Sequence, residues 1–485
     1  MLRPFSVAQA QRTLNAGVAR AGSRIADVRG TSAARVRHLG RTFNPIADIP
    51  HPIPSRKRRP AMTPVGEETT PQQESAMRNF WWDGLFAEGS EVIWLQFLSL
   101  YALALGAGVG VIGLLVAGSN LLAALSMWPG AVLAERTQRY KFIVVLTGGI
   151  LGRVALLLLA LIPWLATGNV ALGLLAAAVA LRSVVQALAM PAWHAFAAEF
   201  VPARLRGRYF ASRNFGRQVT ELSVAPIVGF VISHAAGFSG WQAAWFAAFM
   251  FGVVSSYFYL RIPTLTAKRP PVVTVKPALP RPSALRDRRL MTFVAMTGLF
   301  YFSVMLAGPF FAIYLVRELG GSAMWVGITS AALPVGGIVS QPILARLNDR
   351  LGPKWLLVTS GLILPIIPCL WILAAAPWHV IFLNLAAGVA WSAFLLGSFN
   401  FLLAIAPAHR RPTYSGMHQA AIFFGGFAGP LAGGFLIPLV GYHVIFALSG
   451  LGRGVATLML LRVSAEVEDE VARPPAAVEP QPAPA

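Results

Sequence analysis

Four ionisable side chains sit within stretches that are otherwise apolar: Glu88, Glu91, Arg182 and Glu221. Glu88 and Glu91 are three apart, so a helix carries them on one face, with Glu91 the deeper. Arg182 stands twelve residues into the apolar run that opens at residue 170, about 18 Å by helical rise and so near the centre of a bilayer. Glu221 follows Arg217 by four residues, about one helical turn. A charge at such depth is costly and requires a counter-ion or a watery cavity. A carboxylate there, disfavoured by burial and favoured by a nearby arginine, is suited to taking up and releasing a proton. Glu91, Arg182 and Glu221 are therefore the candidates for a substrate and proton cavity. The structural alternative is an ion pair at Arg182 and a local pair between Glu221 and Arg217.

Other polar groups read differently. Asp83 is expected at the interface. Arg153 and Arg453 lie near the middle of their apolar runs, with an acidic neighbour or a lipid headgroup as the two available partners. His194, His234 and His418 fall near the ends of runs, where an interfacial place is expected. No phosphate loop, metal-ligand cluster or nucleophile–base pair stands out, so no enzymatic site, metal or cofactor is expected. One cysteine, Cys369, excludes a disulfide framework.

The elements that must hold these groups follow from composition. Of 485 residues, 56% are hydrophobic and 12% charged, with mean hydropathy +0.62; a soluble domain carries about 25% charged residues. Apolar runs occupy 84–105, 109–133, 142–164, 170–192, 216–236, 241–261, 291–316, 325–345, 355–374, 378–405, 416–439 and 442–462. A helix needs about 20 residues to cross the hydrocarbon core, so these predict twelve transmembrane helices in an all-α membrane protein. A barrel would alternate in short segments instead. Trp81, Trp82, Trp128, Trp164, Trp241, Trp355 and Trp378 fall near predicted span ends, where aromatic belts sit.

The net charge of +21, with 35 arginines and 5 lysines, is concentrated in every second connection. Arg136, Arg139 and Lys141 follow the second span; Arg204, Arg206, Arg208 and Arg213 the fourth; Arg346, Arg350 and Lys354 the eighth; Arg410 and Arg411 the tenth. A nucleic-acid surface would not alternate with apolar spans, so no nucleic-acid partner is expected. The positive-inside rule places both termini in the cytoplasm of a multi-pass cell (inner or plasma) membrane protein, with lipid around it. Residues 1–78 read as a basic, disordered tail, in which 7–39 suits a basic amphipathic helix and Met62 and Met77 are alternative starts. Six-helix halves are expected at 79–262 and 291–463, joined by a Pro-rich basic linker at 263–290 and followed by an acidic, Pro/Ala-rich tail at 464–485.

The halves repeat. Gly106, Gly113, Glu135 and Arg136 recur 214 residues on as Gly320, Gly327, Asp349 and Arg350. Pro202, Ala203, Arg206 and Tyr209 recur 205 residues on as Pro407, Ala408, Arg411 and Tyr414. The turn after the second span reads Gly130-Ala131-Val132-Leu133-Ala134-Glu135-Arg136-Thr137-Gln138-Arg139-Tyr140-Lys141, and its second-half counterpart Asn348-Asp349-Arg350-Leu351-Gly352-Pro353-Lys354. Over residues 79–462 the chain resembles the major facilitator superfamily. The first turn is similar to that family's signature loop, with Glu135 for the usual Asp, Gln138 for a Gly and Gly130 one place early. The second keeps both Asp and Gly.

The resemblance implies a secondary transporter whose halves alternate around a central cavity, with Glu135, Arg136, Arg139, Asp349, Arg350 and Gly352 latching the cytoplasmic side. Gly416, Gly425, Gly429, Pro430, Gly433 and Gly434 are similar to the family's antiporter motif, here on the eleventh span rather than the fifth. They imply either a flexing helix that favours exchange or ordinary close packing. Arg182-Ser183-Val184-Val185-Gln186-Ala187 resembles the family's proton-coupling motif, with one extra residue before Gln and Ala for Gly. The expectation is a small-molecule substrate, the proton as coupling ion, and export of amphipathic compounds. Uptake of a polar metabolite by proton symport, and a transporter-like receptor or assembly factor, stand as alternatives. Nothing in the sequence sets the oligomeric state.

Overall fold

Helix α1 (Pro71–Ala104) opens on a reciprocal cap: the Thr70 hydroxyl accepts from Gln73 N, while the Gln73 side chain accepts from Thr70 N. A computed structural model describes residues 69–202, 204–264, 286–407 and 411–461, all within one unit, Glu68–Ala485. Helix α1 starts inside the stretch expected as a tail, because the cap and the buried Ala76 extend it beyond the apolar run. The proposed helix at 7–39, the start at Met62 and the C-terminal tail lie outside the described residues, as does most of the linker.

The remaining rods are α2 (Val109–Thr137), α3 (Tyr140–Leu165), α4 (Gly168–Phe200), α5 (Arg206–His234), α6 (Ser239–Leu260), α7 (Arg288–Arg317), α8 (Ala323–Leu351), α9 (Pro353–Ile372), α10 (His379–Ile405), α11 (411–440) and α12 (442–460). Among the described residues, ten stretches are long and apolar enough to cross a membrane. Helix α1 falls outside that count, since it carries Asp83, Glu88 and Glu91. The final stretch holds both α11 and α12, divided at Gly441, whose φ of 81° is open to glycine at little cost. Twelve rods result, as the apolar runs predict. Helix α7 starts at Arg288, slightly before the expected boundary at 291, because Asp287 caps it by accepting from Arg289 N and Leu290 N.

Helix α3 contains a π-helical segment, Val145–Leu151, which shifts the register of everything after it. Helices α1–α6 pack among themselves, as do α7–α12, and the two groups meet along α2 against α11 and α5 against α8. Both meetings are backbone to backbone. A Cβ built on Gly113 would lie 2.5 Å from Pro430 O and 2.8 Å from Gly434 Cα. One built on Gly327 would lie 2.2 Å from Ala225 O, and one on Gly229 2.4 Å from Ala323 O. Gly113 and Gly327 are the pair related by the 214-residue repeat, while Gly229 and Gly434 obey the 205-residue repeat. The repeat is thus expressed as two equivalent helix crossings. In lipid, apolar burial gives little drive, so such crossings depend on close van der Waals contact between small residues.

The large apolar groups divide accordingly. Trp128, Trp164, Trp355 and Trp378 lie exposed on the outside, consistent with the predicted belts. Inside, Trp245 packs edge to face with Trp94, Tyr101 makes tilted ring contacts with Trp241 and Trp245, and the Tyr101 hydroxyl donates to Leu159 O at 2.8 Å.

Candidate functional site

Helix α1 carries Asp83, Glu88 and Glu91 on the side facing α4, α5 and α6. Glu91 Oε1 accepts from Arg182 Nη2 of α4 at 2.6 Å and from Gln186 Nε2 at 3.2 Å. The Arg182 guanidinium also lies over the Trp94 ring, 4.3 Å from its centroid. Two predicted residues, Glu91 and Arg182, are therefore brought together, with Gln186 of the predicted proton-coupling motif as third member. One turn nearer the start of α1, Glu88 pairs with Arg217 of α5. That corrects the expected local pair between Arg217 and Glu221: the approach of α1 supplies Arg217 with Glu88, and Glu221 has no ion-pair partner among the described residues.

Asp83 overturns its expected interfacial place. It is buried, pairs with Arg213 of α5 at 3.5 Å, and accepts from the Ser255 hydroxyl of α6 at 2.7 Å. Arg213 in turn donates to Phe80 O at 3.1 Å and stacks over Phe80 and Trp193. A signal for this was present: Arg213 and Arg217 are four apart, one face of α5, and Asp83 lies five residues before Glu88. Arg153 of α3 is a further member missed from sequence. The π-helical segment ends just before it, and Gly252 leaves room for its side chain, since a Cβ there would fall 2.3 Å from Arg153 Cδ. Arg453 differs: it donates to Leu364 O at 3.3 Å inside the second half, far in the chain from any acid of this cluster.

Asp83, Glu88, Glu91, Arg153, Arg182, Arg213 and Arg217 all line one cavity of about 640 Å³, together with Asn120 and Met127 of α2 and Phe423 of α11. The lining positions of α2 and α5 lie on the basic-turn side of Gly113 and Gly229. The glycine crossings therefore lie on the side of the cavity away from the basic turns. Glu221 lines a neighbouring cavity of about 450 Å³ between the halves, with Gln341 of α8 and Trp391 of α10; Glu88 and Arg217 border both spaces.

At the first signature turn, Glu135, Arg136 and Arg139 are exposed, and no side-chain bond joins them to another helix among the described residues. Asp349 and Arg350 are likewise exposed. Gly130 packs on Leu188 of α4, where a Cβ would lie 2.7 Å from the carbonyl oxygen. Gln138, which replaces a glycine of the signature, has φ 54°, the left-handed region. Its side chain compensates by donating to Glu135 O at 2.8 Å and accepting from the Tyr140 hydroxyl at 2.7 Å. Its repeat mate, Gly352, has φ 82°. Lys141 caps α6 by donating to Leu260 O and Ile262 O.

On α11, Gly425, Gly429 and Gly433 face α7, where built Cβ atoms would lie 2.5 Å from Phe302 N, 2.7 Å from Phe302 O and 2.1 Å from Leu306 O. Pro430 and Gly434 face α2 instead. The backbone stays helical through Pro430, with Gly441 the non-helical residue. These glycines thus serve packing on two sides of one helix. His418 stacks on Phe293 inside the second half rather than at an interface.

Comparison with known proteins bears on this arrangement. Residues 86–313 and 293–484 each match the sequence profile of the Major Facilitator Superfamily. The chain is 28% identical over 160 residues to the staphyloferrin B transporter of Staphylococcus aureus, covering 32% of this chain and 37% of that one. It is 29% identical over 177 residues to the multidrug resistance protein MdtG of Dickeya zeae, covering 34% and 41%. The chain thus spans roughly two fifths of the length of these relatives. Among solved structures it is similar in fold to a D-xylose–proton symporter (TM-score 0.63, 15% identity, 80% of this chain and 97% of that one). It is also similar to a bacterial homologue of the iron transporter ferroportin in an inward-facing state (TM-score 0.62, 16% identity, 80% and 98%).

Proposed function

The chain belongs to the Major Facilitator Superfamily, and on that footing we propose that it exports a small amphipathic molecule in exchange for protons, by alternating access. The observation that carries this reading is the state of the charges around the cavity. Three carboxylates of α1 are matched by arginines of α4 and α5, whereas Glu221, between the halves, has no ion-pair partner among the described residues. An unmatched carboxylate facing a cavity is the group best suited to carry a proton. Because Glu88 and Arg217 border both cavities, a proton on or off Glu221 changes the competition for Arg217, and hence the charge presented to substrate. Aromatic and thioether groups beside the charges, such as Trp94, Met127 and Phe423, suit an amphipathic substrate.

The exposed signature turns fit a resting state open on the basic-turn face, which the positive-inside rule makes cytoplasmic. In the opposite state Glu135, Arg136, Asp349 and Arg350 would engage partners across the two halves. Resemblance to the multidrug resistance protein MdtG supports export. The polar lining, with Asn120, Gln186 and Gln419, favours the second reading, uptake of a polar metabolite with protons.

The test is proton movement in proteoliposomes on addition of amphipathic cations, amphipathic anions, sugars and organic acids. The expected result is substrate-driven proton movement for one class, lost in Glu221→Gln. Movement in the same direction as a sugar or organic acid would replace the first reading by the second. Substrate flux with no proton movement would remove proton coupling.

A further inference from the structure

We infer that the central cavity holds an anionic group of its substrate on Arg153. The inference rests on the transport reading above and names the charge class of what the cavity takes. The cavity is lined by three carboxylates, Asp83, Glu88 and Glu91, and by four arginines, Arg153, Arg182, Arg213 and Arg217. Each carboxylate has its own arginine. Arg153 is the arginine left over, so the lining carries one uncompensated positive charge.

The geometry of Arg153 points the same way. Its hydrogen bond is a long one, Nη2 to Ser255 Oγ at 3.5 Å, and that hydroxyl in turn donates to Asp83 at 2.7 Å. Its Nε, like that of Arg182, is sealed from solvent with no acceptor among the described residues. A guanidinium offers five donors in a fixed fork that matches a carboxylate or phosphate, and most of those on Arg153 remain open to such a group. The site is also built by the backbone. The π-helical segment Val145–Leu151 brings Arg153 round to face the cavity, and Gly252 on α6 makes the space its side chain fills. A π turn of this kind costs helix stability and recurs where a side chain must be re-aimed. Arg182, across the same space, is fixed between Glu91 and Trp94 and adds long-range attraction without competing for the fork. A substrate carboxylate or phosphate would thus complete a fourth acid–arginine pair, with its apolar body toward Met127 and Phe423.

A matched series tests this: dansylglycine (anion), dansylamide (neutral) and dansylcadaverine (cation), each titrated by fluorescence polarisation onto the full chain in uncharged phosphatidylcholine nanodiscs. The expected result is that dansylglycine binds at least about tenfold more tightly than dansylamide. Arg153→Gln abolishes that margin, and Arg153→Lys retains part of it. Wild-type protein with no preference for the anion overturns the inference, as does a margin undiminished in Arg153→Gln. Proteoliposome flux separates this from the transport reading. Proton movement driven by dansylcadaverine and unaffected by Arg153→Gln sinks the anion site and leaves the transporter. Anion binding at Arg153 with no proton movement for any member sinks the coupling and leaves the site.

Discussion

Arg217 reaches across to Glu88 on α1 and leaves Glu221, one turn along its own helix, without a counter-ion. The two carboxylates therefore compete for a single guanidinium that borders both cavities. Glu221→Gln removes a charge that no partner holds, so thermal stability is expected to stay within about 0.5 kcal/mol of wild type. Substrate-driven proton movement should disappear while substrate binding persists. A variant that still moves protons would take Glu221 out of the coupling path.

The Glu91–Arg182 pair should behave in the opposite manner. Glu91→Gln leaves Arg182, 4% exposed, without its carboxylate. Removing one member of a buried pair costs about 3–5 kcal/mol, with the lower end apt here because Glu91 is 27% exposed. Glu91→Gln with Arg182→Gln should recover much of that loss, since the uncompensated charge is gone. A double-mutant cycle by thermal denaturation measures the coupling, and a coupling below about 0.5 kcal/mol would show the pair to be idle.

The glycine crossings set a steric limit on the contact between halves. Gly327→Ala places a Cβ 2.2 Å from Ala225 O, and Gly113→Ala places one 2.5 Å from Pro430 O, so backbone must move in either case. Overpacking of this kind costs about 1–3 kcal/mol. Both variants are expected to lower Tm, and to increase labelling, from the face away from the basic turns, of a cysteine introduced at the cavity position Met127. Unchanged labelling would mean that these contacts do not close that end.

Gln138 holds a left-handed conformation that costs a non-glycine residue about 1–2 kcal/mol, offset by its two side-chain hydrogen bonds. Gln138→Gly should therefore be nearly neutral, because relief of strain balances the lost bonds. Gln138→Val retains the strain, loses the bonds and adds β-branching, so a loss of about 2 kcal/mol or more is expected. Equal Tm values for the two would contradict the backbone geometry at this turn.

Glu135 and Asp349 are exposed and bonded to no other helix in this state. Glu135→Gln with Asp349→Asn is expected to shift stability by less than about 0.5 kcal/mol yet to slow transport severalfold, because the carboxylates act in the opposite state. Transport at the wild-type rate would show that the turns are no latch.

The amino-acid sequence by itself determined the twelve spans, the alternation of basic turns and the two-half repeat. Each depends on local properties: apolar length against bilayer thickness, charge counted per turn, and spacing along the chain. It also singled out Glu91 and Arg182 as charges in apolar runs that need a counter-ion or a cavity, with an ion pair at Arg182 as the alternative. Tertiary structure alone decided who pairs with whom. Spacing favoured Arg217 with Glu221, but α1 packs on α5 closely enough to bring Glu88 to the guanidinium first. Asp83 resembled an interfacial acid until α5 and α6 enclosed it with Arg213 and Ser255. Arg153 lines the cavity two positions after a π-helical segment that no hydrophobic pattern announces. Ion pairing between helices depends on angstrom-scale approach and rotation of whole rods, and those are fixed by small-residue crossings such as Gly113 on Gly434, formed only when distant parts of the chain meet.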